Sequence, residues 1–335
     1  MSSQRDLPTA LKSSGRKLRA AVIGVGYLGN FHAQKYAACP QVELIGVVDT
    51  DKQRAAEVAA KYGTAASNDY RSLFGEADLV SIVVPPARHF QIARDCLESG
   101  IHALVEKPLT ERVDHAEELI RCAARNQRIL QVGHLERFNP VFLALTRHLR
   151  RPGFIETRRF SAYNRRGTEV DVVLDLMIHD IDIVLHIAQS PIKALQCSGT
   201  AVVTDDIDIA NARIEFASGL VAQLAASRVS KDPTRDMKVI QGEQFIEVDY
   251  LSHELRFGVM KDGHEQTDGS ELTFERESPG NTDVLRDEIL AFVAAVRQGS
   301  APLVSGEDGK RALELAVAIS RRIHRHGQVE IDRED

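Results

Sequence analysis

The sequence predicts an α/β protein of two domains: a doubly wound parallel sheet, then a second α/β domain with a mostly antiparallel open sheet. Three observations predict it. The chain has 335 residues, more than one core of ordinary size accommodates. From Leu18 to about Gly133, short apolar runs alternate with helical stretches, the pattern of βαβ units. Beyond Asn139 and Pro140 the texture changes to strand-like segments separated by turn residues, the pattern of antiparallel pairing.

Taken in order, the opening MSSQRDLPTALKSSGRK has mixed charge and no apolar core, so residues 1–17 are expected to be a flexible tail rather than a secretory leader. A cytoplasmic protein follows from that reading. Strands are expected at 19–24, 42–49, 79–84, 103–105 and 129–132, each nearly continuous in Val, Ile, Leu or Ala as buried parallel strands require. Helices fill the gaps at 52–63, 89–100 and 113–127, with apolar residues at helical spacing. The first domain is drawn at 18–138 and the second at 139–335. In the second, strands are expected at 155–162, 194–203, 209–216, 220–226, 245–250 and 272–277, and closing helices at 282–297 and 306–322.

Composition excludes several classes. Hydrophobic residues make 43% and charged residues 27%, globular proportions, and no apolar run reaches the roughly 18 residues of a membrane helix. No membrane partner is expected. Cys39, Cys96, Cys122 and Cys197 are widely spaced without a CxxC, which argues against disulfides and against a thiolate zinc site. A net charge of -6 provides no field for nucleic acid.

The first strand runs into Gly24-Val25-Gly26-Tyr27-Leu28-Gly29, a GxGxxG between a predicted strand and a predicted helix, with Asp49 closing the next strand. The glycines allow a tight turn, close approach of backbone to a pyrophosphate and close helix packing, with the helix N-terminus facing the anion. A carboxylate at Asp49 suits a ribose 2′-hydroxyl and repels a 2′-phosphate, so NAD is favoured over NADP, although Lys52 and Arg54 nearby offset part of that repulsion.

Two features carry chemistry. Glu106-Lys107-Pro108 follows a strand, and ligands gather at the carboxyl ends of strands in open α/β sheets. Beside the positive nicotinamide, a partly desolvated Lys107 would act as a proton acceptor near neutral pH; a solvated loop pair is the alternative. The second is the apolar segment 171–186, read as a helix, in which Asp171, Asp175, His179, Asp182 and His186 fall on one stripe. Carboxylates beside an imidazole suit a base that takes a hydroxyl proton. A solvated face is one alternative, and a metal site on Asp175 and His179 is another, for which no third ligand declares itself.

Together, GVGYLGNFHAQKY, Val84-Pro85-Pro86 with His89, Glu106-Lys107-Pro108, DLMIHDID and SGEDGKRALELAVAI resemble the glucose-fructose oxidoreductase / inositol dehydrogenase (Gfo/Idh/MocA) family, over nearly everything after residue 18. The resemblance implies a Rossmann domain, a second domain whose open sheet makes a homodimer or homotetramer, and a catalytic group of Lys107, Asp175 and His179. It implies cofactor contacts from Gly24, Gly26, Tyr27, Leu28, Gly29, Asp49, Pro85, His89, Glu106 and Lys107. Residues 133–140, GHLERFNP, and Met177, where many members have glycine, resemble the branch that oxidises UDP-N-acetylglucosamine at C3. That narrower resemblance implies a sugar-nucleotide substrate met by Arg137, Asn139, Arg165, Arg166 and Asp182. Arg158, Arg159, Arg228 and Arg235 join Arg165 and Arg166 as candidates for a diphosphate. A free-sugar or inositol dehydrogenase, an NAD-retaining glycosidase and a non-catalytic NAD-binding sensor are the alternatives, the intact Lys107, Asp175 and His179 set arguing against the last.

Overall fold

The computed structural model describes residues 15–164, 170–260, 272–280 and 282–326. The chain forms two compact units: one runs to Leu135 and resumes over Asp283–Leu313, and the other holds Glu136–Thr282 and the chain from Glu314.

The first unit is built on β1 (Leu18–Ile23), α1 (Tyr27–Ala37), β2 (Val42–Val48), α2 (Lys52–Tyr62), β3 (Ala65–Ser67), β4 (Leu79–Ile82), α3 (Pro86–Glu98), β5 (His102–Glu106), α4 (Val113–Arg125) and β6 (Leu130–Gly133). Its sheet has six strands among the described residues, all parallel, in the order β3-β2-β1-β4-β5-β6. Ala20, Ala21, Val22, Leu79, Val80, Ile82, Ala103, Leu104 and Val105 are fully buried, which is why these strands read as unbroken apolar runs. Each Leu, Ile or Val so buried contributes about 1.5–3 kcal/mol. The order reverses direction between β1 and β4, and ligands of open α/β sheets collect beyond the carboxyl ends of strands at that point. Gly24, Asp49, Val83 and Lys107 lie just past the ends of β1, β2, β4 and β5.

The second unit contains α5 (Pro140–His148), β7 (Phe154–Phe160), α6 (Ile178–Ala188), β8 (Ile192–Thr200), β9 (Ile209–Phe216), β10 (Val221–Ser227), β11 (Thr234–Gln241), β12 (Gln244–Asp249), β13 (Glu254–Met260) and β14 (Leu272–Glu277). Its sheet has eight strands among the described residues, ordered β14-β13-β12-β11-β7-β10-β9-β8, antiparallel except for β7 beside β10. Alternation along β7 buries Ile155, Thr157 and Arg159 on one face, and α6 packs against β7 and β10. No helix among the described residues is long and apolar enough to cross a membrane.

Four expectations change. The Asn139-Pro140 pair opens a helix instead of a strand-rich region, because Asn139 caps it by accepting from the Val141 N–H and Pro140 sits where no N–H is needed. Strands β3, β11 and β13 join those expected; β11 hides its buried Met237 and Val239 among charged neighbours. The domain division at 138/139 fails for α7 (Val284–Gln298) and the start of α8 (Gly306–His326), since Ile289, Phe292 and Val293 of α7 pack into the core of Ala20, Val22, Ala33, Tyr36, Leu79 and Leu104. The expected tail also differs at its end: residues 1–14 lie outside the described residues, but Arg16 donates twice to Asp78, at 2.7 and 2.8 Å.

Candidate active site

In the first unit the glycine-rich turn is built from backbone. Gly24 has φ 85°, and a Cβ there would run into the Val83 carbonyl. A Cβ at Gly29 would run into the Gly24 carbonyl, whereas nothing lies within 4 Å of one at Gly26. Gly26 therefore faces an open cradle, at an α1 N-terminus where no side chain caps the free N–H groups. Tyr27 is 70% exposed beside this opening and meets Phe31 edge-on at 5.3 Å; Leu28 is also exposed. Asp49, nearly buried, accepts from the Val25 N–H through Oδ2 and from the Asp51 N–H through Oδ1, both at 3.0 Å, so it clamps the glycine turn to the end of β2.

The ends of β4 and β5 are tied together by His89. Its ring nitrogens lie 2.8 Å from the Pro108 and Val84 carbonyls, and burial pushes its pKa down. Pro85 caps α3 one turn before it. The Glu106 carboxylate sits 3.1 Å from His32 Nε2 and accepts from the Lys107 N–H at 3.3 Å. It also lies across Gly133, where a Cβ would stand 2.8 Å from Glu106 Oε2. Burial pushes Glu106 up, but the hydrogen bond and charge of His32, with Lys107, prevail and hold it below the usual carboxylate range. Lys107, half-buried, leads into a cis bond to Pro108. Behind this group Glu288 on α7 is fully buried with neither carboxyl oxygen hydrogen-bonded; burial first, then the Glu106 charge, raises it well above its ordinary value.

In the second unit the predicted stripe is rearranged. Val173–Met177 form a π-turn, with the Ile178 N–H reaching the Val173 carbonyl, and α6 begins only after it. Asp171 precedes the turn and caps it, accepting from the Val173 and Leu174 N–H groups at 2.9 Å, so it leaves the stripe. The wider turn breaks the steps of four: Asp175 and His179 stay partly exposed, Asp182 is buried, and His186 meets the Phe142 ring at 5.8 Å. Asp171, Asp206 and His324 also place ligand-type atoms within 4.8 Å of one another, with Asp171 Oδ1 engaged as the cap.

The arginines divide sharply. Arg159, buried, donates to Asp180 at 2.8 Å and to Glu136 at 2.9 Å; Asn139 completes the cluster by donating to Glu136 at 3.0 Å. Burial pushes Asp180 up despite Arg159, whereas Arg159 and Asn139 hold Glu136 down against burial. Arg137 pairs with Asp182 at 3.3 Å, both buried. Arg228 is held by Asp208 at 2.7 Å and the Val170 carbonyl at 2.8 Å, and Arg158 by Asp236 in a two-pronged contact. These pairings give Arg158, Arg159 and Arg228, expected as candidates for a diphosphate, an acid each within the fold. They also turn Arg137, Asn139 and Asp182 inward. Among the described residues Arg235 is exposed and makes no ion pair; Arg165 and Arg166 lie outside the described residues. Sequence reasoning missed His32, Gly133, Glu136 and Asp180 as supports, and the signal for the first two was their presence in quoted motifs opposite Glu106.

Residues 18–134 match the oxidoreductase family with an NAD-binding Rossmann fold, and residues 143–246 match the GFO/IDH/MocA C-terminal domain. The chain is 36% identical over 308 residues to UDP-N-acetylglucosamine 3-dehydrogenase of Acidithiobacillus ferrooxidans, covering 90% of this chain and 96% of that one. This chain belongs to the GFO/IDH/MocA oxidoreductase family. A solved structure of that Acidithiobacillus ferrooxidans dehydrogenase superposes with a TM-score of 0.86 at 34% identity, over 93% of this chain and 99% of the other. More distant within the family is scyllo-inositol 2-dehydrogenase (NAD(+)) of Bacillus subtilis, 25% identical over 349 residues, 94% of this chain and 97% of that one. The enzyme is an NAD-dependent oxidoreductase, and its open Gly26 cradle, uncapped α1 N-terminus and Asp49 suit a dinucleotide.

Proposed function

We propose that this enzyme oxidises the C3 hydroxyl of UDP-N-acetylglucosamine, giving the 3-keto sugar nucleotide, NADH and a proton. The observation that carries the reading is the 36% identity, over nearly the whole of both chains, to a dehydrogenase of that substrate. Bound NAD⁺ supplies a hydride acceptor at nicotinamide C4. The backbone of Gly24 to Gly29 holds the pyrophosphate, with Tyr27 and Leu28 beside it, and Asp49 takes the ribose hydroxyls. Pro85, His89 and Glu106 shape the nicotinamide end. His89 fastens the loops after β4 and β5, and Glu106, fixed by His32 and Gly133, sets where Lys107 starts. Lys107 or His179 takes the C3 hydroxyl proton as the C–H bond breaks, and Asp175 steadies the imidazolium. Arg165 and Arg166 receive the diphosphate, remote binding that orients the reacting carbon.

The test is absorbance at 340 nm with NAD⁺ and UDP-N-acetylglucosamine, N-acetylglucosamine or myo-inositol. UDP-N-acetylglucosamine should be used with kcat/KM at least about 10²-fold above the free sugar. Lys107→Ala and His179→Ala should each lower kcat by roughly 10² to 10⁴ with NADH affinity nearly unchanged. Arg165→Ala or Arg166→Ala should raise KM more than it lowers kcat. Better turnover of myo-inositol than of any UDP-sugar would sink the assignment.

A further inference from the structure

Asp49 does not stand alone at the end of β2. Asp51 caps α2, its Oδ1 accepting from the Gln53 and Arg54 N–H groups at 3.0 and 3.1 Å. The Arg54 guanidinium bridges both acids: Nη1 is 3.7 Å from Asp49 Oδ2 and Nη2 is 3.4 Å from Asp51 Oδ2. The Asp51 N–H in turn donates to Asp49 at 3.0 Å, so the three side chains form one connected group.

We propose that two carboxylates, Asp49 and Asp51, exclude NADP by jointly holding Arg54, and that Arg54 is a latent partner for a 2′-phosphate. The proposal rests on the reading that Asp49 faces the ribose. Charge counting gives the logic. Two acids and one arginine sum to a single negative charge, which repels a phosphate. Without Asp49, Arg54 is still neutralised by Asp51 and the group is only neutral. Without both acids, Arg54 is released and presents a planar fork suited to phosphate oxygens. Lys52, exposed at the first position of α2, contributes equally to every variant and does not alter the order. Arg54 is half-exposed, so each ion pair is weak by itself and the two acids act through their summed charge.

Serine at either position retains capping ability, so D49S, D51S, D49S/D51S and D49S/D51S/R54A can be compared in the full-length protein. NADH and NADPH are titrated by nicotinamide fluorescence, and the readout is the ratio of the two Kd values, since Asp49 also clamps the glycine turn and its loss weakens both ligands. The preference for NADH should fall by about tenfold or less in D49S and in D51S, and by at least about 100-fold in the double variant. Adding R54A returns the group to neutral, so the preference should recover about tenfold, to the level of the single variants. The proposal is overturned if D49S alone gives the full change, or if R54A leaves the double variant's ratio unaltered. If D49S moves neither Kd, the ribose reading falls and takes the proposal with it. Should the double serine variant not fold, asparagine at both positions, also a capping residue, carries the same comparison with the same outcomes.

Discussion

The two units hold their candidate site residues by opposite means. At the nucleotide end of the first, position is set by backbone: three glycines, a carboxylate on the Val25 N–H, a histidine between two carbonyls. In the second, position is set by charge: Arg159 with Asp180 and Glu136, Arg137 with Asp182, Arg228 with Asp208. Backbone scaffolds are sensitive to the addition of a single carbon, because the space is closed by atoms that cannot rotate away. Charge scaffolds tolerate small changes of shape but not the loss of a partner, which strands a charge where water cannot reach it.

The contrast can be broken most forcefully at Arg159. Arg159→Ala leaves Asp180 and Glu136 buried without their cation, and about 3–5 kcal/mol should be lost, a fall in Tm of at least about 6 °C by scanning calorimetry. A fall under 2 °C would mean that the cluster does not support α6.

Next in size is a paired test of the glycine turn. Gly26→Ala should leave Tm within about 2 °C, since nothing in the protein meets the new methyl, yet weaken NADH at least about tenfold by filling the cradle. Gly29→Ala should lower Tm as well as NADH affinity, because its methyl strikes the Gly24 carbonyl. Equal effects of the two variants on Tm would remove the distinction between space kept for ligand and space kept for packing.

The smallest expected effect sharpens the comparison from inside the first unit, where Glu288 is the exception to backbone control. Its folded pKa is raised by burial and by Glu106, so its neutral form is favoured on folding. That stability is fully present below the unfolded carboxylate value near 4.3 and is lost as pH rises toward the folded value. Glu288→Gln cannot ionise, so the decline in Tm between pH 5 and pH 8 should shrink by about 2 °C or more. An unchanged decline would show that Glu288 carries no such penalty.

The same contrast explains what could be read from the sequence. Gly24, Gly26, Gly29 and Asp49 are separated by short, fixed spacings within one βαβ unit, and the parallel sheet declares itself through continuous apolar strands. The partners of Arg159 and Arg137 lie 21 and 45 residues along the chain, and no local pattern reports such pairings, so these arginines looked available for a ligand. The stripe of Asp171, Asp175, His179, Asp182 and His186 presumed regular α-helix. One π-turn at Val173–Met177 was enough to undo that spacing, and nothing in VLDLM distinguishes it from an ordinary helical turn. Arg165 and Arg166, expected at a diphosphate, lie outside the described residues.

The position of α7 in the chain has a consequence for how the protein is made. Its Phe292 and Val293 complete a core begun by Ala20 and Leu104, yet they emerge from the ribosome only after the β-rich stretch Glu136–Thr282 has been synthesised. At bacterial and eukaryotic elongation rates of about 5–20 residues per second, the stretch from Leu104 to Phe292 takes roughly 10–40 s. For that interval the nascent nucleotide-binding unit shows water the apolar patch on β1, β4 and α1 that α7 will cover, so the first unit to be started is among the last to be finished.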